Sequence, residues 1–360
     1  MNKARSDYFD VPLLTWGTVT DETISGLIKL AARENAPNPR YLAAISDIGE
    51  LILCDKDGSK IYGPVGPFTG HGSPDELSVN TSGLVLIRSG TSLALINADG
   101  TVRWNKTGVD AITNLKAAKI GSNYVCTVIG TGAKATSGVQ WRSLTDGSIV
   151  QDVYGLANDP STYYAWGAIA VSQTGDRAAI VYNTGSSGGY CYSYLEHHHR
   201  TSGRLWSLAL MTQSITTVIL SKVAVDKDGG YTIVASKYGA EGTSSGTCFC
   251  MVYDSTGLLL GTPWSNATLS YFGVCMAPDG KQAGTYRDTT LDRIVLVPYS
   301  SSTTTLAAKG KGIDITDDDL YYTVGCEDGK LYIYRVDGYA MGNTPYGGAS
   351  TPIATVRNYT

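Results

Sequence analysis

The chain has 360 residues, a formal net charge of −4, 17% charged and 42% hydrophobic residues. The acidic balance, without any cluster of Lys and Arg, argues against nucleic acid and anionic membrane surfaces, both of which need a concentrated basic face. No apolar run approaches the roughly 18–20 residues that cross a bilayer. The 42 Gly, 24 Tyr and long Ser/Thr stretches suit an all-β protein with many turns and uncharged polar loops.

The N-terminus, Met1 to Asp7, is followed by mixed residues instead of the apolar core of a secretory signal. The chain is therefore expected to stay in the cytosol, to have lost a signal, or to leave the cell by another route such as assembly into a virus particle. Tyr8-Phe9-Asp10-Val11-Pro12-Leu13-Leu14 is a candidate extra strand. Thr20-Asp21 offers an N-cap, and Ile24, Leu27, Ile28 and Ala31 fall at i, i+3, i+4 and i+7 ahead of Asn35-Ala36-Pro37-Asn38-Pro39. This spacing predicts a short amphipathic helix. Its apolar face, with Ile24, Leu27 and Ile28, is expected either to pack as a lid on the domain that follows or to dock on a protein partner or a second copy of the chain. Residues 1–40 are thus read as an N-terminal extension with one helix, and residues 41–360 as one repeat domain.

From residue 41 a doublet of turn signals recurs. The first turns are Asp47-Ile48-Gly49, Thr81-Ser82-Gly83, Gly121-Ser122-Asn123, Thr174-Gly175-Asp176, Asp228-Gly229-Gly230, Asp279-Gly280 and Asp317-Asp318-Asp319. The second turns are Asp57-Gly58, Asp99-Gly100, Asp146-Gly147, Ser202-Gly203, Thr256-Gly257, Ser300-Ser301-Ser302 and Asp337-Gly338. Tight hairpins need φ > 0, which Gly allows and Asn or Asp tolerate. Units starting at Leu42, Glu76, Leu115, Ala168, Ser221, Phe272 and Gly312 repeat every ~45 residues, near the roughly 40–45 of a four-stranded propeller blade. The fold expected is all-β, a seven-bladed β-propeller of four-stranded blades with a short N-terminal helical extension. In the first unit Tyr41–Ser46 is read as the innermost strand, Glu50–Cys54 as the middle of the blade and Lys60–Tyr62 as its outer edge. A strand from one terminus, 8–14 or Pro352–Val356, is expected to pair into the blade formed by the other and so close the ring.

Units three, four and five are longer between their two turns, which makes those insertions the expected sites of specialisation. The fourth carries Tyr190, Tyr192 and Tyr194 followed by Glu196-His197-His198-His199-Arg200. Three of the chain's four His are consecutive there. Read as a loop, Tyr190, Tyr192, Tyr194, His197, His198, His199 and Arg200 form a candidate binding surface. Adjacent residues on an extended strand point to opposite faces, so the three imidazoles are not expected to share one metal ion. The acidic run Asp314 to Asp319 reads as a solvated turn. Cys54, Cys126, Cys275 and Cys326 lie on separate apolar strands, as buried thiols would. The sequons at Asn80, Asn105, Asn266 and Asn358 read as chance matches in a Ser/Thr-rich chain.

The endings Asp99-Gly100-Thr101-Val102-Arg103-Trp104 and Ser202-Gly203-Arg204-Leu205-Trp206 resemble the D-G-x-x-x-W ending of pyrroloquinoline-quinone-type propeller repeats. The turns in Ala277-Pro278-Asp279-Gly280-Lys281 and Val225-Asp226-Lys227-Asp228-Gly229 resemble the inner-strand turns of WD40-like and YVTN-type repeats of archaeal surface proteins. The resemblance covers roughly residues 41–336 and implies a propeller, a fold that serves catalysis, adhesion and scaffolding alike. Gly242-Thr243-Ser244-Ser245-Gly246 matches the nucleophile-elbow pattern but has no helix pattern after it. No vicinal cysteines are present to hold a quinone, and no catalytic residue, cofactor or metal is expected. The leading reading is a non-catalytic recognition or structural propeller displayed on a virion or cell surface, binding a glycan or protein partner through its blade loops. The alternatives are an intracellular interaction scaffold and a lyase or glycosidase using the central funnel.

Overall fold

The computed structural model describes residues 27–32, 41–46, 48–55, 60–72, 74–157, 168–185, 190–214, 217–240, 247–266, 273–276, 282–287, 290–297, 300–307, 312–315, 321–325, 331–335 and 354–356. Among them are seven four-stranded antiparallel sheets, each with its strands in chain order. The first contains β1 (Leu27–Ala32), β2 (Tyr41–Ser46), β3 (Leu51–Asp55) and β4 (Lys60–Val65). The second contains β5 (Glu76–Val79), β6 (Val85–Ser89), β7 (Ser92–Ile96) and β8 (Val102–Lys106), and the third β9 (Leu115–Ile120), β10 (Tyr124–Ile129), β11 (Gly138–Ser143) and β12 (Ile149–Tyr154). In the fourth are β13 (Ala168–Val171), β14 (Arg177–Gly185), β15 (Tyr190–His199) and β16 (Gly203–Ser214), and in the fifth β17 (Thr217–Val225), β18 (Thr232–Ala240), β19 (Thr247–Tyr253) and β20 (Leu259–Asn266). The sixth comprises β21 (Gly273–Met276), β22 (Gln282–Arg287), β23 (Thr290–Val297) and β24 (Ser300–Ala307), and the seventh β25 (Gly312–Ile315), β26 (Tyr321–Gly325), β27 (Leu331–Arg335) and β28 (Ala354–Val356).

The first strand of each sheet packs beside the first strand of the next, from β1 and β5 through to β21 and β25, and β26 of the last sheet approaches β1 of the first. The sheets therefore follow one another about the inner strands as propeller blades do, and the core lies between them. Ala43, Ile45, Leu51 and Leu53 of the first sheet meet Leu77, Val79, Val85 and Ile87 of the second. Ala117, Cys126 and Trp141 of the third meet Ile169, Ala178, Ile180 and Tyr182 of the fourth. The second to fifth sheets are covered on both faces, so their inner strands read as apolar runs without strict alternation.

Two expectations about the first unit are corrected. Leu27 and Ile28 belong to strand β1, not to a helix: β1 pairs antiparallel with β2, Leu30 opposite Ala44 and Ala32 opposite Leu42. Ile24 lies outside the described residues. A short strand rich in apolar residues, here Leu27-Ile28-Lys29-Leu30-Ala31-Ala32, meets the i, i+3, i+4 template by coincidence. Tyr41–Ser46 is accordingly the second strand of its sheet, and the first sheet begins before residue 41. The turn doublet separates strands one and two, then three and four, in the second to fifth sheets, whereas Asp47-Ile48-Gly49 joins strands two and three of the first. The expected closing strand 354–356 pairs with Leu331–Ile333 inside the last sheet. The candidate strand 8–14 lies outside the described residues.

The insertion of the fourth unit lengthens its strands. β14, β15 and β16 have 9, 10 and 12 residues, against 5 each for β6, β7 and β8.

Candidate functional site

The segment expected to be a recognition loop, Tyr190 to Arg200, is strand β15 plus the first residue of its turn, hydrogen-bonded between β14 and β16. Alternation sends its side chains to opposite faces. Tyr194 faces the third sheet beside Tyr182, while Leu195 faces the fifth with Trp206 at the edge of the same cluster. Glu196, His197 and His198 are buried, at most 1% exposed, which corrects the expectation that these imidazoles form a contact surface. The burial follows from the register: Ala179 opposite His197 and Ala178 opposite His198 leave room for a large polar ring inside the sheet packing.

Glu196 is the hub. Its Oε1 accepts hydrogen bonds from the Tyr182 hydroxyl and, at 2.7 Å, from the backbone N–H of Ala157, where the chain leaves the third sheet. His198 Nε2 donates to its Oε2 at 2.9 Å. Burial alone would raise the Glu196 carboxyl, but the hydrogen bonds from His198 and Tyr182, with the His198 charge and the Ala157 N–H, outweigh it and hold the group below the usual carboxylate range. His197 lies on the other face, stacked on Trp206 with ring centroids 5.1 Å apart. Burial first, then the charges of Arg177, His198 and His199, push His197 down to about 3, so it is neutral at physiological pH. The Tyr182–Glu196–His198 network lies in the sheet interior and ties the chain leaving the third sheet to the fourth.

The remaining candidates divide by their partners. Tyr182, Tyr194 and Tyr192 form an aromatic ladder with centroid spacings of 5.7 and 6.4 Å, and Tyr192 and Tyr194 stay half-buried. Arg200 donates through Nε to Asp176 at 2.9 Å and lays its guanidinium over the Tyr124 ring at 4.7 Å, fastening the fourth sheet to the third. His199 Nδ1 meets the backbone N–H groups of Thr201 and Ser202, each at 3.3 Å. The side chain of Tyr190 lies outside the described residues. Among the described residues no three His, Cys, Asp or Glu side chains converge in a way that could hold a metal ion. The sequon Asn80 is buried, its Oδ1 accepting from Ser82 and Leu84 N–H and its Nδ2 donating to the Gly121 carbonyl.

Sequence reasoning missed the outer strands. The second residue after each turn glycine is an exposed aliphatic: Val102 after Gly100, Ile149 after Gly147, Leu205 after Gly203 and Leu259 after Gly257, with exposures of 47%, 49%, 40% and 37%. The pattern Gly-x-aliphatic is visible in the chain, and reading every apolar strand residue as core hid it. In all four sheets the pairing of the outer strand with the third carries a bulge near these residues. Bulges disrupt ladder pairing at an open edge, so side chains rather than backbone groups are what this rim offers.

No protein-family model and no curated protein matches the chain. Among solved structures it is similar to the β-propeller domain of Cps50 (Swd1) from Myceliophteria thermophila, at 14% identity and a TM-score of 0.57, with 87% of this chain and 99% of that chain covered. Likeness at that identity speaks to fold, and it supports an all-β propeller. Among the described residues no helix is long and apolar enough to cross a membrane.

Proposed function

We propose that the chain is a closed seven-bladed propeller that works by binding a protein partner through its rim, without catalysis, as a recognition or structural component of a virion or cell surface. The observation that carries this reading is the row Val102, Ile149, Leu205 and Leu259, one exposed aliphatic at the same place in four successive sheets. Scattered apolar surface residues need no explanation, but a repeated one on a rigid frame marks a contact surface. The half-buried Tyr192 and Tyr194 add a second surface, suited to stacking on a sugar or a peptide. Display outside a cell rests on the low charge and the abundance of Tyr and Ser/Thr. The likeness of Ala277–Lys281 and Val225–Gly229 to turns of archaeal surface-protein repeats points the same way.

A photo-crosslinking residue placed at 102, 149 or 205 in the producing host is expected to capture one discrete protein. The same residue at Asp228, exposed on the turn between β17 and β18, is expected to capture none. Equal yields at rim and control positions would overturn the rim reading.

A further inference from the structure

A cleft of about 640 Å³ opens between the edge of the second sheet and the outer half of the third. Arg142, on β11, lies in its floor and is only 8% exposed. Its guanidinium makes three hydrogen bonds, all to neutral acceptors: Nε to Thr127 Oγ1 at 3.4 Å, Nη1 to the Gly147 carbonyl at 3.0 Å, and Nη2 to Gln140 Oε1 at 2.6 Å. Gln140 is itself held by donating to the Tyr154 hydroxyl at 2.7 Å, which aims its carbonyl at the arginine. A guanidinium carries five N–H donors, so two are left over. Burial pushes the Arg142 group below its ordinary value, and only Tyr154 acts against that.

The nearby carboxylates are otherwise engaged. Asp146 accepts from the Ser148 N–H at 3.1 Å and from its hydroxyl at 2.8 Å, and its charge faces Lys106. Asp110, on the cleft lining, is exposed and forms no ion pair with Arg142. A buried cation without a counterion is unfavourable, and an anion placed against it relieves the imbalance. Among a mixed lining that includes Thr113, Asn114 and Thr131, Ile112 and Ile129 are buried and form an apolar wall, with Ile149 at the mouth. The volume lies within the roughly 300–1,000 Å³ of small-molecule sites, where apolar walls and few convergent polar groups are the rule.

We propose that this cleft binds a small organic acid with an apolar body, its carboxylate on the two unused N–H groups of Arg142 and its body against Ile112 and Ile129. Paired N–H donors in the guanidinium plane match the two oxygens of a carboxylate, and the apolar wall favours an acid with a hydrocarbon body over an inorganic anion. The site shares Ile149 with the rim, but its test alters only Arg142 and Ala135, so its failure is distinguishable from failure of the proposed function.

The test is calorimetric titration of the full chain with benzoate, with its neutral counterpart benzamide, and with a glutamate-containing tetrapeptide capped at both ends. Benzoate is expected to bind about tenfold or more tightly than benzamide, and Arg142→Gln to lose about that factor for benzoate while leaving benzamide unchanged. Because Arg142 is buried and its loss could unfold the sheet, Ala135→Trp provides a second variant. Ala135 is an exposed residue of the cleft lining, and an indole there should block benzoate with the far-UV spectrum unchanged. Equal binding of benzoate and benzamide, no binding of either, or undiminished benzoate binding in Ala135→Trp would each overturn the proposal. Tighter binding of the capped peptide than of benzoate would overturn the small-molecule assignment in favour of a protein side chain.

Discussion

The indole Nε1 of Trp104, on the outer strand of the second sheet, donates at 3.1 Å to the backbone carbonyl of Leu144 in the third sheet. The ring also packs over the turn glycine that follows: a Cβ on Gly147 would sit 3.2 Å from it. The contact recurs. Trp206 donates to the Ser255 carbonyl at 3.0 Å and faces Gly257 in the same way, and Tyr62 covers Gly100. An outer-strand aromatic of one sheet thus clasps the turn between the third and fourth strands of the next, which gives the recurring Gly-turn and Trp of the sequence a shared physical cause.

Trp104→Phe should cost about 1 kcal/mol, the hydrogen bond to Leu144. Trp104→Ala should cost roughly 3–5 kcal/mol by emptying the seam between the second and third sheets. Denaturant unfolding of the two variants beside the parent chain checks both figures, and equal losses would remove the hydrogen bond from the account.

The inner turns of neighbouring sheets meet backbone to backbone. Ser122 N–H donates to the Gln173 carbonyl at 2.7 Å, and Gln173 N–H to the Lys227 carbonyl at 2.7 Å. A Cβ on Gly121 would meet Gly175 N at 2.4 Å, and backbone has no rotamer with which to yield. Gly121→Ala should therefore destabilise by roughly 1–3 kcal/mol. Gly72→Ala, which would meet nothing within 4 Å, should be neutral or slightly stabilising through the unfolded chain. Thermal midpoints of the pair provide the comparison.

His197 makes stability depend on pH. Its ordinary value is 6.5, and the folded chain holds it down to about 3, so between these values the unfolded state binds the extra proton. Stability should therefore fall as pH drops below about 6.5, by about 1.4 kcal/mol per unit for this group. His197→Phe keeps an aromatic ring on Trp206 and removes the titration. Its advantage over the parent chain should widen by on the order of 2 kcal/mol from about pH 7.5 to about pH 5. His71, also pushed down by burial, leaves a residual slope in the variant. Glu196, held low, adds a further loss only in more acidic solution, as pH falls below its ordinary value of 4.5 toward the folded one. Denaturant unfolding at a series of pH values measures the difference, and parallel curves would refute it.

Cys126 is a fully buried thiol whose Sγ lies 3.1 Å from the Gly175 carbonyl, and burial pushes it well up. Thiolate is the reactive form, so native Cys126 should resist iodoacetamide and react at the rate of a free peptide thiol once the chain is unfolded. Mass spectrometry of the Cys126 peptide reads the ratio, and rapid native labelling would contradict the burial.

The sequence by itself determined the repeat. Turn pairs such as Asp99-Gly100 and Asp146-Gly147 need positive φ, which Gly100 and Gly147 adopt at 85° and 71°, and that demand is local to a few residues. Strand positions between such turns were legible for the same reason. Tertiary structure decided what local pattern could not. Leu27–Ala32 satisfies both a helix and a buried-strand template, and only the presence of Tyr41–Ser46 as a pairing partner makes it a strand. Glu196, His197 and His198 look like a solvated loop by composition, yet Tyr182 and Ala157 on one face and Trp206 on the other take them inside. Arg142 gave no signal at all, because an uncompensated charge is a property of what surrounds a side chain in space, and those neighbours are assembled from β8, β10, β11 and β12 only when the sheets pack.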